Sequence, residues 1–263
     1  MKKATVILGG GAALGFAHIG VLQVIEEKYN ITRVIGTSMG ALIGGLYASG
    51  MNPNEILNFG KEFKYYEFIN PFNLDIKFQG LIDGSFIEKK INDKLGDKNI
   101  EDLKVKFSSV AFDINSRKTI IHNSGNVAQA CRASAAIPYI FNPVSMGDMS
   151  LVDGGVEYPL PLLDIDDNEF VIAVNVLPKV IDGVIKTSSF DTLTTDKKKV
   201  SKRWYEIIIE ALNCNQSFLV QQILKIQKPD IFIDCAIDTI GPTEFLKIEK
   251  LVELGKQKAL TII

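Results

Sequence analysis

A serine lies at the centre of a short, glycine-bounded motif near the start of the chain. The residues from Gly36 to Gly40 read G-T-S-M-G, and they separate the apolar residues 33–35 from a helix-forming stretch. Between a strand and a helix, the pattern G-x-S-x-G holds its serine in a sharp turn, where the hydroxyl can attack an acyl carbon. Ser38 is therefore a candidate nucleophile. The alternative is a turn with a packing role only, because this pattern also arises by chance.

A second glycine-rich loop, residues 9–15, also lies between an apolar run and a helix-forming stretch. A dinucleotide site is disfavoured because Ala12 stands where the G-x-G-x-x-G pattern requires its second glycine. A triphosphate loop is disfavoured because the segment lacks the lysine that such loops carry. Successive backbone N–H groups in a loop of this kind can bind an anion. Beside a nucleophilic serine, the simplest such anion is the oxyanion of an acyl-transfer reaction.

A serine nucleophile needs a base, and the sequence offers few histidines for that role. His18 lies in the helix that follows the glycine loop, and His122 lies at the end of a predicted strand. Either could contact Ser38 in the fold, as a Ser-His triad would require. Both also have simple structural interpretations, as a polar helix residue and as a strand terminus.

A carboxylate that acts directly is the alternative base. Asp153 follows the apolar residues Leu151 and Val152 and precedes Gly154 and Gly155, which allow a sharp turn toward another loop. A dry site would raise the pKa of this carboxyl group and make it a better proton acceptor. An Asp-Gly hairpin turn without a catalytic role is the competing interpretation.

Composition limits the class of protein. The 263 residues carry a net charge of −2, which gives no general attraction to nucleic acid. The three cysteines are few and odd in number, which disfavours a disulfide framework. We therefore expect a cytoplasmic protein, with peripheral contact to a membrane as a further option.

The uncharged stretches 4–25 and 34–54 are long enough to suggest a signal peptide or a membrane span. Glycines interrupt both, so we predict neither a signal peptide nor a transmembrane helix.

The elements that must position these residues alternate between strands and helices. This order predicts an α/β fold with three α/β/α layers and a mainly parallel central sheet. We predict one domain over residues 1–263, with an aromatic, cap-like segment at 54–100 and a polar, mobile loop at 182–203. Predicted strands are Ala4–Leu8, Arg33–Ile35, Val105–Phe112, Lys118–His122, Phe170–Leu177 and Pro229–Asp234. Predicted helices are Phe16–Tyr29, Ala41–Ser49, Ser85–Leu95, Trp204–Ile226 and Thr243–Ala259.

Taken together, the motifs resemble the patatin-like phospholipase family. The resemblance covers Ile7–Ala48, then Ala133–Pro161, and more weakly the last helix. It implies a patatin-like fold and a Ser-Asp dyad that works without histidine. The site residues it implies are the nucleophile Ser38 and the base Asp153, the oxyanion-hole residues Gly9, Gly10, Gly11 and Ala12, the turn glycines Gly36 and Gly40, the glycines Gly154 and Gly155 of the aspartate motif, and the pocket residues Met39, Ile137 and Pro138.

The resemblance also implies a function. It predicts a phospholipase A-like or lysophospholipase-like hydrolase that cleaves fatty acyl esters of lipids, with no metal or organic cofactor and no nucleic-acid partner. The sequence departs from the family pattern at two positions. Ala12 stands where the family usually has glycine, and Leu14 stands where it usually has arginine or lysine. They motivate an alternative, a non-catalytic lipid-binding or regulatory protein on the same fold. A histidine-dependent acyltransferase or protease is a third hypothesis.

Overall fold

The computed structural model describes residues 1–62, 82–179 and 204–263. The strands are β1 (Lys2–Leu8), β2 (Tyr29–Thr37), β3 (Lys106–Asp113), β4 (Lys118–His122), β5 (Val144–Met146), β6 (Met149–Asp153), β7 (Val171–Asn175) and β8 (Ile231–Asp234). The helices are α1 (Ala17–Lys28), α2 (Met39–Ala48), α3 (Pro53–Glu62), α4 (Ser85–Leu95), α5 (Val127–Ser134), α6 (Trp204–Ile226) and α7 (Ile248–Leu260). The predicted strands and helices are present, although most of their ends differ.

The described strands form one mixed sheet in the order β5-β6-β3-β2-β1-β7-β8, and β4 pairs with β3 beside this path. Pairing is parallel from β3 through β2, β1 and β7 to β8, and antiparallel where β4, β5 and β6 join. The apolar runs suit this arrangement because central parallel strands are buried on both faces. The predicted α/β fold with a mainly parallel sheet is confirmed.

Helices cover both faces of the sheet. Val6 and Leu8 of β1 join a core with α1, α2, α3, α5 and α7, whereas Ile7, between them, joins a separate core with Val220 of α6. This split follows from the alternation of side chains along a strand, which sends neighbours to opposite faces. The three-layer α/β/α arrangement is thereby confirmed, with α6 covering the second face.

Each of the two uncharged stretches contains a strand, a glycine-rich turn and a helix: β1 and α1 in the first, β2 and α2 in the second. Among the described residues, none of the helices has both the length and the apolar character needed to cross a bilayer. The predicted cap-like segment at 54–100 is described only in part, since residues 63–81 lie outside the described ranges. The loop predicted at 182–203 also lies outside them.

The register of β3 brings the two predicted catalytic residues to one place. On one edge of β3, Thr37 of β2 pairs with Val110, and Asp153 of β6 pairs with the next residue, Ala111. The opposite edge is occupied by β4, which pairs with the same two β3 residues. Strands β2 and β6 therefore meet end to end along a single edge. Successive positions on a strand are about 3.3 Å apart, so the residue after Thr37 is adjacent to Asp153.

Candidate active site

Ser38 lies in a strained turn between β2 and α2. Its backbone has φ 56° and ψ −124°, a conformation that non-glycine residues rarely adopt, and it is the N-cap residue of α2. Gly40 permits the turn, because a Cβ atom there would lie 2.2 Å from the Leu8 carbonyl oxygen. The Ser38 N–H donates a 2.9 Å hydrogen bond to Ser134 Oγ. The hydroxyl thus lies at the positive end of a helix, in a fixed backbone geometry.

The Ser38 hydroxyl lies near the Asp153 carboxylate and acts on it as a hydrogen-bond donor that lowers the pKa of Asp153. Both residues are buried, with exposed fractions of 4% for Ser38 and 2% for Asp153. The Gly155 N–H donates a 2.7 Å bond to Asp153 Oδ1, and the Asp153 N–H donates a 3.0 Å bond to the Ala136 carbonyl. These bonds fix the orientation of the carboxylate.

Burial sets the acidity of this carboxyl group. It raises the pKa of Asp153 from 3.8 to about 6, against the opposing hydrogen bonds from Ser38 and Gly155. Desolvation disfavours the charged form of an acid, whereas donated hydrogen bonds favour it. A carboxylate with a pKa of about 6 is largely ionised at neutral pH and is a stronger base than an exposed aspartate. The Asp153 carboxylate can therefore accept the proton of the Ser38 hydroxyl as that hydroxyl attacks an acyl carbon.

Two of the amides predicted to line an oxyanion hole are already engaged. The Gly9 N–H donates to the Val174 carbonyl at 3.1 Å, and the Gly10 N–H donates to the Pro159 carbonyl at 2.8 Å. The amides of Gly11 and Ala12 have no acceptor among the described residues. Of the four predicted oxyanion-hole residues, Gly9, Gly10, Gly11 and Ala12, only Gly11 and Ala12 therefore remain candidate donors. The first two amides secure the loop to the sheet.

The two sequence departures have different structural surroundings. Ala12 adopts φ 47°, in the left-handed region where a glycine carries less strain. Its N–H nevertheless remains free for an anion, as noted above. Leu14 is fully buried in the main core, so the residue that replaces a usual cation is a packing residue.

Neither histidine hydrogen-bonds to Ser38 among the described contacts. His18 is fully buried, and its Nε2–H donates a 2.8 Å bond to the Gly9 carbonyl. Burial lowers the pKa of His18 to about 4, so it is neutral at pH 7 and supports the glycine loop. His122 ends β4 opposite Ser109, and burial also lowers its pKa.

The predicted pocket residues follow residues of the candidate site in the chain: Met39 follows Ser38, and Ile137 follows Ala136, whose carbonyl accepts from the Asp153 N–H. Met39 and Ile137 are half-buried at the edge of the main core, and Pro138 is half-buried beside Ile137. Met39 lies directly against Gly15, where a Cβ atom would be 2.4 Å from Met39 Cγ. The loop that carries Ile137 is anchored by Arg132, whose Nη2 donates a 2.8 Å bond to the Asn142 carbonyl. Arg132 is buried and acts as this anchor.

Two residues near the dyad were not assigned a role from the sequence. Ser134 ends α5, and its hydroxyl accepts from the Ser38 N–H and donates to the Val110 carbonyl at 2.5 Å. Gln216 belongs to α6, and its carboxamide lies beside Gly155. A serine within a small-residue helix gives some signal for close packing. A glutamine in a long helix gives none.

Comparison with known proteins extends the motif resemblance. The sequence model of the patatin-like phospholipase family matches residues 6–166. An uncharacterized NTE family protein of Mycobacterium tuberculosis is 33% identical over 164 residues, which is 62% of this chain and 45% of the relative. Lysophospholipase NTE1 of Debaryomyces hansenii is 28% identical over 183 residues, 66% of this chain and 12% of that protein.

Among solved structures, VipD from Legionella pneumophila gives a TM-score of 0.47 at 12% identity, covering 99% of this chain and 66% of that chain. The chain spans less than half the length of the curated relatives named above.

Proposed function

Because the chain belongs to the patatin-like phospholipase family, we propose that it is a serine acyl hydrolase that cleaves fatty acyl esters of lipids. The observation that carries the proposal is the proximity of two buried side chains, the Ser38 hydroxyl and the Asp153 carboxylate, where strands β2 and β6 meet along β3. Two ordinary packing residues would not need a strained serine turn and a buried carboxylate with a raised pKa at the same place.

Acylation begins when Ser38 Oγ attacks the ester carbonyl carbon. Its proton passes to Asp153, and the carbonyl oxygen becomes an oxyanion. When the tetrahedral intermediate collapses, the bond to the leaving alcohol breaks, and that alcohol takes the proton from Asp153. The product is an acyl ester on Ser38, an intermediate that divides the hydrolysis into two smaller steps.

Deacylation repeats the chemistry with water. A water molecule attacks the acyl carbon and gives one proton to Asp153, and the fatty acid leaves as Ser38 Oγ recovers that proton. The Gly11 and Ala12 N–H groups are the donors available for the oxyanion in both steps. One such donor typically contributes on the order of 3 kcal/mol to the transition state.

A monoacyl phospholipid is the first substrate to test. The fungal relative is named a lysophospholipase, and the family as a whole is named for phospholipid cleavage. We expect hydrolysis of lysophospholipid, diacyl phospholipid or acylglycerol, and a panel of these three substrates identifies the preferred one.

The test combines covalent labelling with two substitutions. Fluorophosphonate should label the wild-type chain at Ser38, and Ser38→Ala and Asp153→Asn should each reduce ester hydrolysis by about a thousandfold or more. Ser145→Ala is the matched control, since Ser145 is exposed on β5, and it should keep wild-type hydrolysis. His122→Asn should also remain active, which would argue against an enzyme that depends on His122.

Two results would oppose the proposal. Wild-type hydrolysis by Ser38→Ala would remove Ser38 from the mechanism. A wild-type chain that binds lysophospholipid micelles, resists fluorophosphonate and releases no fatty acid would favour the non-catalytic lipid-binding alternative.

A further inference from the structure

Helix α6 buries polar side chains at positions where an amphipathic helix usually buries apolar ones. Its buried residues include Ile209 and Val220, and between them lie Asn213 and Ser217, which are 5% and 4% exposed. The Asn213 amide nitrogen has no hydrogen-bond partner among the described residues. Burying an unpaired polar group lowers the stability of the fold, and folds retain such groups mainly at functional sites. Gln216 lies on the same part of the helix and is half-buried.

The Gln216 carboxamide lies over the dyad. A Cβ atom on Gly155 would be 2.3 Å from Gln216 Nε2 and 3.0 Å from Asp153 Oδ1. On the other side, a Cβ atom on Gly10 would be 3.8 Å from Gln216 Oε1 and 3.4 Å from Ser38 Cβ. The amide nitrogen and the Asp153 carboxylate are therefore close enough for one water molecule to hydrogen-bond to both.

We propose that Gln216 orients the water molecule that hydrolyses the acyl-enzyme, an inference that rests on the proposed function. Gln216 Nε2 donates a hydrogen bond to one lone pair of this water, and one water proton points at Asp153. The second lone pair then attacks the acyl carbon on Ser38. As the new C–O bond forms, the proton moves to Asp153, and Ser38 Oγ regains it when the fatty acid leaves.

Orientation by Gln216 affects the second half of the reaction more than the first. In acylation the nucleophile is Ser38, which the backbone already holds against Asp153. Water has no such attachment, so an additional hydrogen bond removes more of its positional freedom. The effect of Gln216 should therefore appear in deacylation. Helix α6 lies outside residues 6–166, the part of the chain that the family model matches.

The experiment measures the two half-reactions separately. The enzyme is mixed rapidly with a p-nitrophenyl fatty acyl ester, and the acyl adduct is followed by quenching and mass spectrometry. Gln216→Met, which keeps the bulk and removes the amide, should slow decay of the adduct by about tenfold. Both kcat and KM should fall. Their ratio, kcat/KM, should stay within about twofold of wild type, because kcat/KM reports acylation.

Gln222→Met is the matched control, since it makes the same change in the same helix. Gln222 accepts a hydrogen bond from Lys225 Nζ at 3.4 Å and should give wild-type adduct decay. If Gln216→Met fails to fold, Gln216→Ala must give the same split between kcat and kcat/KM. Fluorophosphonate labelling of each variant checks that Ser38 and Asp153 remain assembled.

The outcomes distinguish this inference from the proposed function. A wild-type chain that forms no acyl adduct would overturn the proposed function itself. If the wild type forms an acyl adduct and the adduct of Gln216→Met decays equally fast, only the role of Gln216 is overturned. A loss confined to kcat/KM, with no slower decay, would also overturn it and would assign Gln216 to substrate binding instead.

Discussion

Two opposite influences act on the pKa of the Asp153 carboxyl group. Burial raises its pKa, which suits a proton acceptor, whereas the hydrogen bonds from Ser38 and Gly155 lower it. The net result is a pKa of about 6 and a carboxylate that is charged at neutral pH without a cationic partner in its hydrogen bonds. Such a group lowers the stability of the fold at the pH where it is useful.

This conflict predicts that Asp153→Asn stabilises the chain as it inactivates it. The unfolded carboxyl ionises near 3.8 and the folded one near 6, so the wild type loses stability as pH rises through this interval. The amide side chain of the Asp153→Asn variant does not titrate in this pH interval. Its advantage in unfolding free energy should grow from about pH 4 to about pH 6, then level off, by on the order of 3 kcal/mol. Urea unfolding at several pH values measures it.

An exposed carboxylate provides the comparison for this measurement. Asp148 lies in the turn between β5 and β6, and Asp148→Asn should follow the wild-type dependence on pH. A stability difference between Asp153→Asn and wild type that stays constant from about pH 4 to about pH 8 would contradict the assigned burial effect.

Individual residues differ in how much the sequence reveals about them. The turns that carry Ser38 and Asp153 are predictable because glycines that suit a sharp turn lie within two positions of each of these residues. The donors of the glycine loop are not, because an N–H group in a loop carries no sequence mark of its acceptor. Gly9 and Gly10 donate to Val174 and Pro159, which are about 150 residues away or more.

At the scale of elements, strand ends depend on partners as much as on residue type. The sequence predicts only Arg33–Ile35 as the second strand, whereas β2 runs over Tyr29–Thr37. Its polar start is paired with β1, for example Asn30 with Lys3. Backbone pairing extends a strand through polar residues, and hydrophobic patterning alone does not detect this extension.

The contact between α1 and α7 depends on small residues at which the two backbones meet. A Cβ atom on Gly20 of α1 would lie 1.9 Å from the Val252 carbonyl oxygen. One on Gly255 of α7 would lie 2.0 Å from the Ala17 carbonyl oxygen. Since the obstructing atoms belong to the backbone, neither side can adjust by a rotamer change.

We therefore expect Gly20→Ala to destabilise the chain, although alanine is the better helix former. The overpacked contact should lower the unfolding free energy by about 3 kcal/mol, whereas propensity alone would raise it by roughly 1 kcal/mol. Urea unfolding of the purified variant measures the sign. Gly241→Ala is the control, because its Cβ would meet only the Glu244 side chain, at 3.6 Å, and it should change stability by less than about 0.5 kcal/mol. An unchanged or increased stability of Gly20→Ala would show that the helices can move apart freely.

For the whole molecule, the family match and the folded unit do not have the same extent. The matched residues, 6–166, contain Ser38 and Asp153. Strands β7 and β8 and helices α6 and α7 follow the match, yet they complete the sheet and cover both of its faces. The Ala13 N–H also donates a 3.0 Å bond to the Pro242 carbonyl, so the later residues hold the glycine loop.

Removal of residues 248–263, which include α7, should therefore prevent cooperative folding although both proposed catalytic residues remain. Leu251, Val252 and Ala259 are buried against the main core, and their loss exposes the apolar face of α1 to water. We expect a chain without a cooperative urea transition and without fluorophosphonate labelling. A shorter deletion, residues 261–263, leaves α7 intact and should keep a cooperative urea transition and normal fluorophosphonate labelling. Cooperative unfolding of the longer deletion with normal labelling would mean that the α1–α7 contact is dispensable for the fold and for the site.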